Sequence, residues 1–390
     1  MRILFHHRIA SRDGQAVHLE ELRDALQRQG HETILVGPPS LTKTEFGGSN
    51  PIVDQLKRLM PRALYEVLEV AYNIKAFLRL RAAVRTFHPD VIYERFSLFL
   101  LAGIWVRRLH GLPLLLEVNS PLYEERAQDN ELRLHRLGRW AQRLLWNRVD
   151  HVLPVTGVLA RTVARYGVAT SRITVIPNGV NAERFRVVPD SSLDKRKHCP
   201  PPRVVLGFAG FIRNWNAVHR LIDFVAKHHT RLDLHIVVVG DGPARGFLEE
   251  HARTRGVADR LTITGIVERD DVARHVAAFD IAVIPNVNPY ASPLKLFEYL
   301  QLGRAIVAPD TENIREILTN EQDALLFDPG SDGALEAALL RLCTDPALRA
   351  RLGDSARRTI GERSLTWSGN AERVLAIAEA IISPRRRASQ

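Results

Sequence analysis

The run His235-Ile236-Val237-Val238-Val239 leads into Gly240-Asp241-Gly242-Pro243, four β-branched residues in a row followed by a turn of glycine, aspartate and proline. Side chains branched at Cβ fit a pleated strand, and a run without polar alternation marks a strand covered on both faces, as in a parallel sheet. Pro243 suits the first turn of a helix and Asp241 can cap one, so the stretch reads as strand, turn, helix. The glycines let a backbone or a ligand approach closely, and structure alone explains them equally well.

Working outward, the unit recurs. Downstream of residue 203, strands are expected at 204–209, 234–239, 261–264, 281–285, 305–308 and 324–327, each followed by a helical pattern. Upstream they are expected at 2–5, 33–36, 91–93, 114–118, 151–154 and 173–176. A helix over 15–29 places Val17, Leu19, Leu22, Ala25 and Leu26 on one stripe and stops at Gly30. The longest helical stretch runs over 54–87, and another over 131–148. Such alternation argues for parallel α/β architecture, and 390 residues exceed what one core usually holds. The polar, proline-rich RKHCPPPR at 196–203 is a linker candidate. Two Rossmann-like domains are therefore expected, 1–190 and 203–365, with a last helix over about 367–382 and an irregular tail from 383.

Composition narrows the class. Hydrophobic residues make up 45% and charged ones 25%, a globular balance. With only Cys199 and Cys343 there is no disulfide framework, and a reducing compartment fits. Met1 leads straight into a strand with no secretory signal, so a cytoplasmic protein is expected. The most apolar run, 96–106, is about half the length needed to cross a bilayer. A net charge of +10 suits an anionic partner, whether nucleic acid, acidic lipid or a phosphorylated substrate.

In doubly wound sheets ligands sit beyond the carboxyl ends of strands. Four loops there carry unusual residues. Ser11-Arg12-Asp13-Gly14-Gln15 opens the first helix and offers N–H groups to an anion, or is an ordinary turn; it lacks a dinucleotide fingerprint. The stretch Gly207 to Arg213 leaves a strand through Gly210, with Arg213 able to meet a phosphate. The Gly240–Pro243 turn, with Gly242, is the third. The fourth is Ser292-Pro293-Leu294-Lys295-Leu296-Phe297-Glu298, with Ser292 as N-cap and Pro293 as first helical residue. A lysine in a first helical turn is disfavoured by roughly 0.3–1 kcal/mol, so its presence points to an expected anion such as a diphosphate. Glu298, nearly one turn deeper, is a pure acceptor suited to vicinal hydroxyls such as those of a ribose. A Lys–Glu surface pair is the alternative.

With these loops in view the chain resembles the retaining glycosyltransferases of family 4, which have the GT-B fold, two Rossmann-like domains facing each other across a cleft. The resemblance is carried by Ile176-Pro177-Asn178-Gly179-Val180 with Phe185, by Val239 to Pro243, by Ser292 through Gly303 to Ala308, and by Gly14-Gln15-Ala16-Val17-His18-Leu19. It implies a UDP- or GDP-sugar donor held mainly by the C-terminal domain and an acceptor on the N-terminal one. Glu298 matches the second glutamate of the family's pair, which holds the ribose hydroxyls, whereas Tyr290 stands at the first. Phe211 and Asn216 replace the usual basic pair, leaving Arg213 and Lys295 to neutralise phosphate. The base is expected near Ile266-Val267. The N-domain histidine of relatives has no clear match; Glu117 and Asn119 lie near its place, with His18 also on the acceptor side. The resemblance further implies retention at the anomeric carbon with no obligatory metal and no cofactor, and a last helix that returns to the N-terminal domain.

Transfer from a nucleotide sugar builds negative charge on the departing diphosphate. Lys295, Arg213 and the helix N-termini are expected to stabilise it. The basic, apolar stretches 54–87 and 131–148, the latter with Trp140 and Trp146, either pack inward with solvated arginines or lie on an anionic membrane. The second option goes with a lipid-linked glycan acceptor, a peripheral position on the inner face of the cell membrane and a role in cell-envelope or exopolysaccharide synthesis. Nucleic acid is not expected as a partner. Two rivals stand beside this reading: a sugar-nucleotide 2-epimerase of the same fold, and a non-enzymatic basic membrane- or nucleic-acid-binding protein on a degenerate transferase fold.

Overall fold

The computed structural model describes residues 1–9, 14–38, 60–186 and 203–388. The chain divides into two compact units. Unit 1 spans Met1–Pro177 and takes in Tyr290–Ser292 and the C-terminal helix; unit 2 spans Asn178–Pro289 and Pro293–Thr366.

Unit 1 contains β1 (Arg2–His6), α1 (Gly14–Arg28), β2 (Glu32–Val36), α2 (Arg62–Phe87), β3 (Val91–Arg95), α3 (Ala102–His110), β4 (Leu114–Val118), α4 (Leu122–Gln128), α5 (His135–Arg148), β5 (His151–Pro154) and α6 (Gly157–Arg165). Its five strands are all parallel, in the order β2-β1-β3-β4-β5. The order reverses direction between β1 and β3, which makes that point the crevice of the sheet. Strand interiors such as Leu4, Phe5, Ile92, Leu115 and Leu116 are buried, as a sheet covered on both faces requires.

Unit 2 contains β6 (Val204–Ala209), α7 (His219–His228), β7 (Leu234–Val239), α8 (Arg245–Thr254), β8 (Leu261–Ile263), α9 (Val272–Ala277), β9 (Ile281–Val283), α10 (Leu294–Gln301), β10 (Ala305–Pro309), α11 (Glu312–Arg315), β11 (Leu325–Phe327), α12 (Ala334–Thr344) and α13 (Pro346–Glu362). The six strands run β11-β10-β9-β6-β7-β8, again all parallel. Read from the far edge this is the 3-2-1-4-5-6 order of a dinucleotide-binding sheet, with the reversal between β6 and β9. The last helix, α14 (Trp367–Ala388), belongs to unit 1, where it packs on α1.

Several expectations change. No strand forms at 173–176: Thr174 and Ile176 donate to the carbonyls of Val152 and Pro154 at 3.1 and 3.0 Å, but Pro154 has no N–H to return the bond to that neighbour. The helix expected from 131 starts at His135, because the buried Glu66 carboxylate takes the N–H groups of Arg133 and Leu134 at 2.6 and 2.8 Å. The tail expected to be irregular from 383 is helical through Pro384 to Ala388; near a helix end the one bond that proline removes is tolerated. Residues 54–59 of the long stretch, the turn residues Ser11 to Asp13 and the linker at 196–202 lie outside the described residues.

The two basic helices behave differently. On α5 the apolar side faces inward through Ala141, Leu145 and Trp146, with Arg136, Arg139, Trp140 and Arg143 outward. On α2 the pattern is inverted. Leu64, Val67, Leu68, Ile74 and Leu78 are exposed, while Glu66 and Asn73 are buried with Ala76, Leu80 and Val84. The polar pair faces inward because it satisfies backbone: Asn73 Oδ1 accepts from the N–H groups of Leu101 and Ala102, at the start of α3.

Candidate functional site

In unit 2 the strand ends at the switch point are joined by backbone. Beyond β6 and β7 the pairing continues through Gly210 N–H to Val239 O and Ile212 N–H to Asp241 O, both 2.9 Å. This approach is only open to glycine: a Cβ on Gly240 would lie 2.3 Å from the Gly210 carbonyl oxygen, and one on Gly242 2.3 Å from that of Ile212. Asp241 does not cap α8, which starts at Arg245, beyond Pro243; its carboxylate accepts from Gly242 N–H at 2.7 Å and from the Arg245 guanidinium at 3.0 Å. The loop's own N–H is nearer to that carboxylate than any group of the helix.

Helix α10 follows β9. Its boundary residue is Pro293, with ψ 121°, so Leu294 is the first helical residue and Lys295 the second. Ser292 is thus not the N-cap, and the first helical bond runs from Leu296 N–H to the Pro293 carbonyl at 3.0 Å. The N–H groups of Leu294 and Lys295 have no acceptor within the helix, as at any helix start. The Lys295 ammonium lies 3.6 Å from the centre of the buried Phe208 ring, and a Cβ on Gly210 would sit 3.2 Å from its Nζ. Burial draws the Lys295 pKa down from 10.5 to about 7, with the Glu298 carboxylate pulling the other way. Helix and strand are tied by the Ala209 N–H, which donates to the Tyr299 hydroxyl at 2.8 Å. Lys295, Gly210 and Phe208 are therefore one cluster, with Glu298 half-buried about a turn deeper.

The other unit 2 candidates are placed less tightly. Arg213 is exposed, its guanidinium 5.0 Å over the ring of Phe211, and its N–H donates to Asn216 Oδ1 at 2.8 Å. Phe211 and Asn216, read from the sequence as replacing a basic pair, are the residues that Arg213 contacts in this loop. Ile266, just past β8, is 59% exposed, an apolar surface available to a base. Val267 beside it is half-buried.

Unit 1 presents the opposite construction. Glu117, at the end of β4, accepts from Tyr93 at 2.8 Å and Arg95 at 2.7 Å, pairs with His18 Nε2 at 3.0 Å, and takes the Asn119 amide. Burial alone would raise its pKa, but His18 and Arg95, with hydrogen bonds from His18 and Tyr93, hold it well below the usual carboxylate range. A cavity of about 10 Å³, room for one water, lies among His18, Glu117, Trp367 and Asn370. Asn370 donates to the Pro177 carbonyl at 2.7 Å. Gly14 is the exposed first residue of α1. The Gln15 side chain and Ser11 to Asp13 fall outside the described residues.

Beside this network stand groups the sequence reading missed. His6 and Glu94 are register partners on β1 and β3, at the crevice, and their side chains meet at 2.5 Å. His7 accepts from Ile9 N–H at 3.0 Å, and burial, with His6 and Arg95 nearby, lowers its pKa to about 3, so it is a neutral acceptor. The available signal was positional: titratable pairs, His6-His7 and Glu94-Arg95, at the carboxyl ends of two strands. Tyr290 also takes an unexpected place. It belongs to unit 1, where its hydroxyl bonds Glu125 and its carbonyl accepts from Thr156 at 2.9 Å. Among the described residues no group of three or more His, Cys, Asp or Glu is arranged to hold a metal ion.

Comparison with known proteins agrees with this architecture. Residues 12–184 match the family model for Glycosyltransferase Family 4, and residues 203–345 that for Glycosyl transferases group 1. A 2-deoxystreptamine N-acetyl-D-glucosaminyltransferase of Streptomyces fradiae is 28% identical, covering 85% of this chain and 83% of that one. A GDP-mannose-dependent alpha-mannosyltransferase of Mycobacterium tuberculosis is 24% identical over 95% of this chain and 93% of its own. The structure of Anabaena Alr3699/HepE in complex with UDP superposes with a TM-score of 0.77 at 17% identity, covering 97% and 100% of the two chains. The paired doubly wound sheets are the GT-B fold, and the chain belongs to glycosyltransferase family 4.

Proposed function

We propose that this glycosyltransferase moves a sugar, with retention at the anomeric carbon, from a UDP- or GDP-sugar to a glycan or lipid-linked glycan, without an obligatory metal or cofactor. The observation that carries the reading is the Lys295 cluster: a desolvated ammonium in the first turn of α10, beside Gly210, at the switch point of a 3-2-1-4-5-6 sheet. An ammonium half-buried against Phe208 has already lost part of its water, so it has less solvation to give up when it meets an anion. The departing diphosphate meets Lys295 and the free N–H groups of the helix start, which takes over the charge that a metal ion would otherwise neutralise. Glu298 receives the ribose hydroxyls, the exposed Ile266 and neighbouring Val267 receive the base, and Arg213 swings from Phe211 to the phosphates. Relatives named for GDP-mannose and solved with UDP support a donor of this class.

The acceptor belongs to unit 1, near His18, Glu117 and Asn119. Glu117 is held ionised by its neighbours and acts as the fixed charge that orients them. A lipid-linked acceptor places the protein peripherally on the inner membrane face, in synthesis of cell-envelope polysaccharide. Among the described residues no helix is long and apolar enough to cross a membrane. The test is a thermal-shift screen of UDP, GDP, ADP and TDP and their sugars on the parent and on Lys295→Ala. A UDP or GDP compound is expected to stabilise the parent and to act far more weakly on the variant. Equal shifts in both proteins, or none from any nucleotide, would overturn the reading. Conversion of the donor into a second nucleotide sugar without acceptor would make the protein an epimerase.

A further inference from the structure

Helix α2 wears its apolar stripe on the outside. Leu64, Val67, Leu68, Ala71, Ile74 and Leu78 recur at helical spacing on one side, all exposed, with Ile74 at 65% and Leu78 at 57%. The adjoining α3 adds Trp105 and Leu109, 41% and 55% exposed, and Trp105 stacks edge-on to Phe77 at 6.2 Å. A contiguous apolar surface of this size marks an interaction site.

Charge is sorted as sharply. The only acids on α2 are Glu66 and Glu69, and both turn inward. Glu66 binds the Arg133 and Leu134 N–H groups, and Glu69 pairs with Arg8 and Arg126 at 3.1 and 3.0 Å. The cations Lys75, Arg85 and, on α3, Arg108 stay exposed beside the apolar stripe, with Arg79 half-buried; α3 carries no acid. A second copy of this face would set cation against cation, which disfavours self-pairing. What complements an apolar stripe on helices that expose cations and turn their own acids inward is a hydrocarbon layer under anionic headgroups.

We propose that the outer face of α2 and α3 docks on an anionic lipid bilayer, the apolar stripe entering the headgroup boundary while Lys75, Arg79, Arg85 and Arg108 meet lipid phosphates. The docking rests on the proposed lipid-linked acceptor for its purpose, but its evidence is the surface alone. The full chain is floated with vesicles of phosphatidylcholine, or of an equal mixture of phosphatidylcholine and phosphatidylglycerol, at low salt. Binding to the mixed vesicles only is expected, weakening as salt is added. The variants Ile74→Asp/Leu78→Asp and Lys75→Glu/Arg79→Glu, whose side chains contribute little to the core, are each expected to bind about tenfold more weakly with melting temperatures near the parent's. No flotation of the parent, or variants that float like it, would overturn the proposal. So would a parent dimer in sedimentation that Ile74→Asp/Leu78→Asp abolishes. A parent that floats but transfers no sugar to any acceptor would leave the docking face standing and remove the transferase reading.

Discussion

The switch points of the two sheets solve the same topological problem with different materials. Around β6 and β7 the approach is made by backbone: glycines at 210, 240 and 242 let chains pass within contact of one another, and one lysine supplies the charge. Around β1, β3 and β4 it is made by side chains, with His6, Glu94, Arg95, Tyr93, His18 and Glu117 buried together. A backbone site can yield to a ligand without leaving charges unpaired. A side-chain network cannot lose a member without exposing the others. The first should therefore fail in activity and the second in stability.

The largest effect expected is on the side-chain network. Glu117→Ala leaves the buried Arg95 guanidinium without its carboxylate and should cost about 3–5 kcal/mol, read by chemical denaturation. A loss below about 1 kcal/mol would mean that the network is not what holds unit 1 together. Next comes Lys295→Ala, expected to lower turnover roughly a hundredfold or more while the melting temperature stays near the parent's or rises, since a desolvated ammonium is removed from the face of Phe208. Turnover close to normal would move the donor charge elsewhere and erase the contrast.

A smaller effect separates close packing from backbone conformation alone. Gly240→Ala should destabilise by about 1–3 kcal/mol, because its φ of 133° is unfavourable and its Cβ would press on the Gly210 carbonyl. Gly30→Ala, with φ 83° and open space around the Cβ, should cost only about 1–2 kcal/mol and leave nucleotide binding untouched. If the two variants bind nucleotide equally, the junction of the two loops is not part of the donor site.

What the sequence allowed to be read follows the same division. A glycine turn after a β-branched run means the same thing wherever its neighbours lie, so residues 235–243 and 292–298 led to the strand ends of unit 2. A detail decided by a single residue's geometry went astray there: Ser292 yields the helix boundary to Pro293. In unit 1, His6 and Glu94 acquire meaning only as register partners on neighbouring strands, and nothing local says that β1 pairs with β3. Periodicity found the stripe on α2 but carries no sign for which side faces protein. Glu66 and Asn73 decide that by reaching backbone groups distant in sequence.

The smallest effect, and the finest division between the sites, lies in pH. The Lys295 pKa in the free protein is lowered to about 7, below the 10.5 of an unfolded lysine. Above pH 7 the unfolded chain binds a proton that the folded one has released, so this group makes the free protein more stable as pH rises from 7 toward 10.5. A bound diphosphate restores the proton, so nucleotide affinity should fall about fivefold between pH 7 and 8 and about tenfold per unit beyond, a slope that Lys295→Ala abolishes. Glu117 gives a stability slope of the same sign, but on the acid side of neutrality. Its folded pKa is depressed, so its contribution is complete above the ordinary carboxylate value and is lost as pH falls below it. Acid titration of stability thus reads unit 1, and alkaline titration of nucleotide affinity reads unit 2. A nucleotide affinity flat from pH 7 to 9 would mean that Lys295 meets no phosphate, and the positive charge of the donor site would have to come from backbone alone.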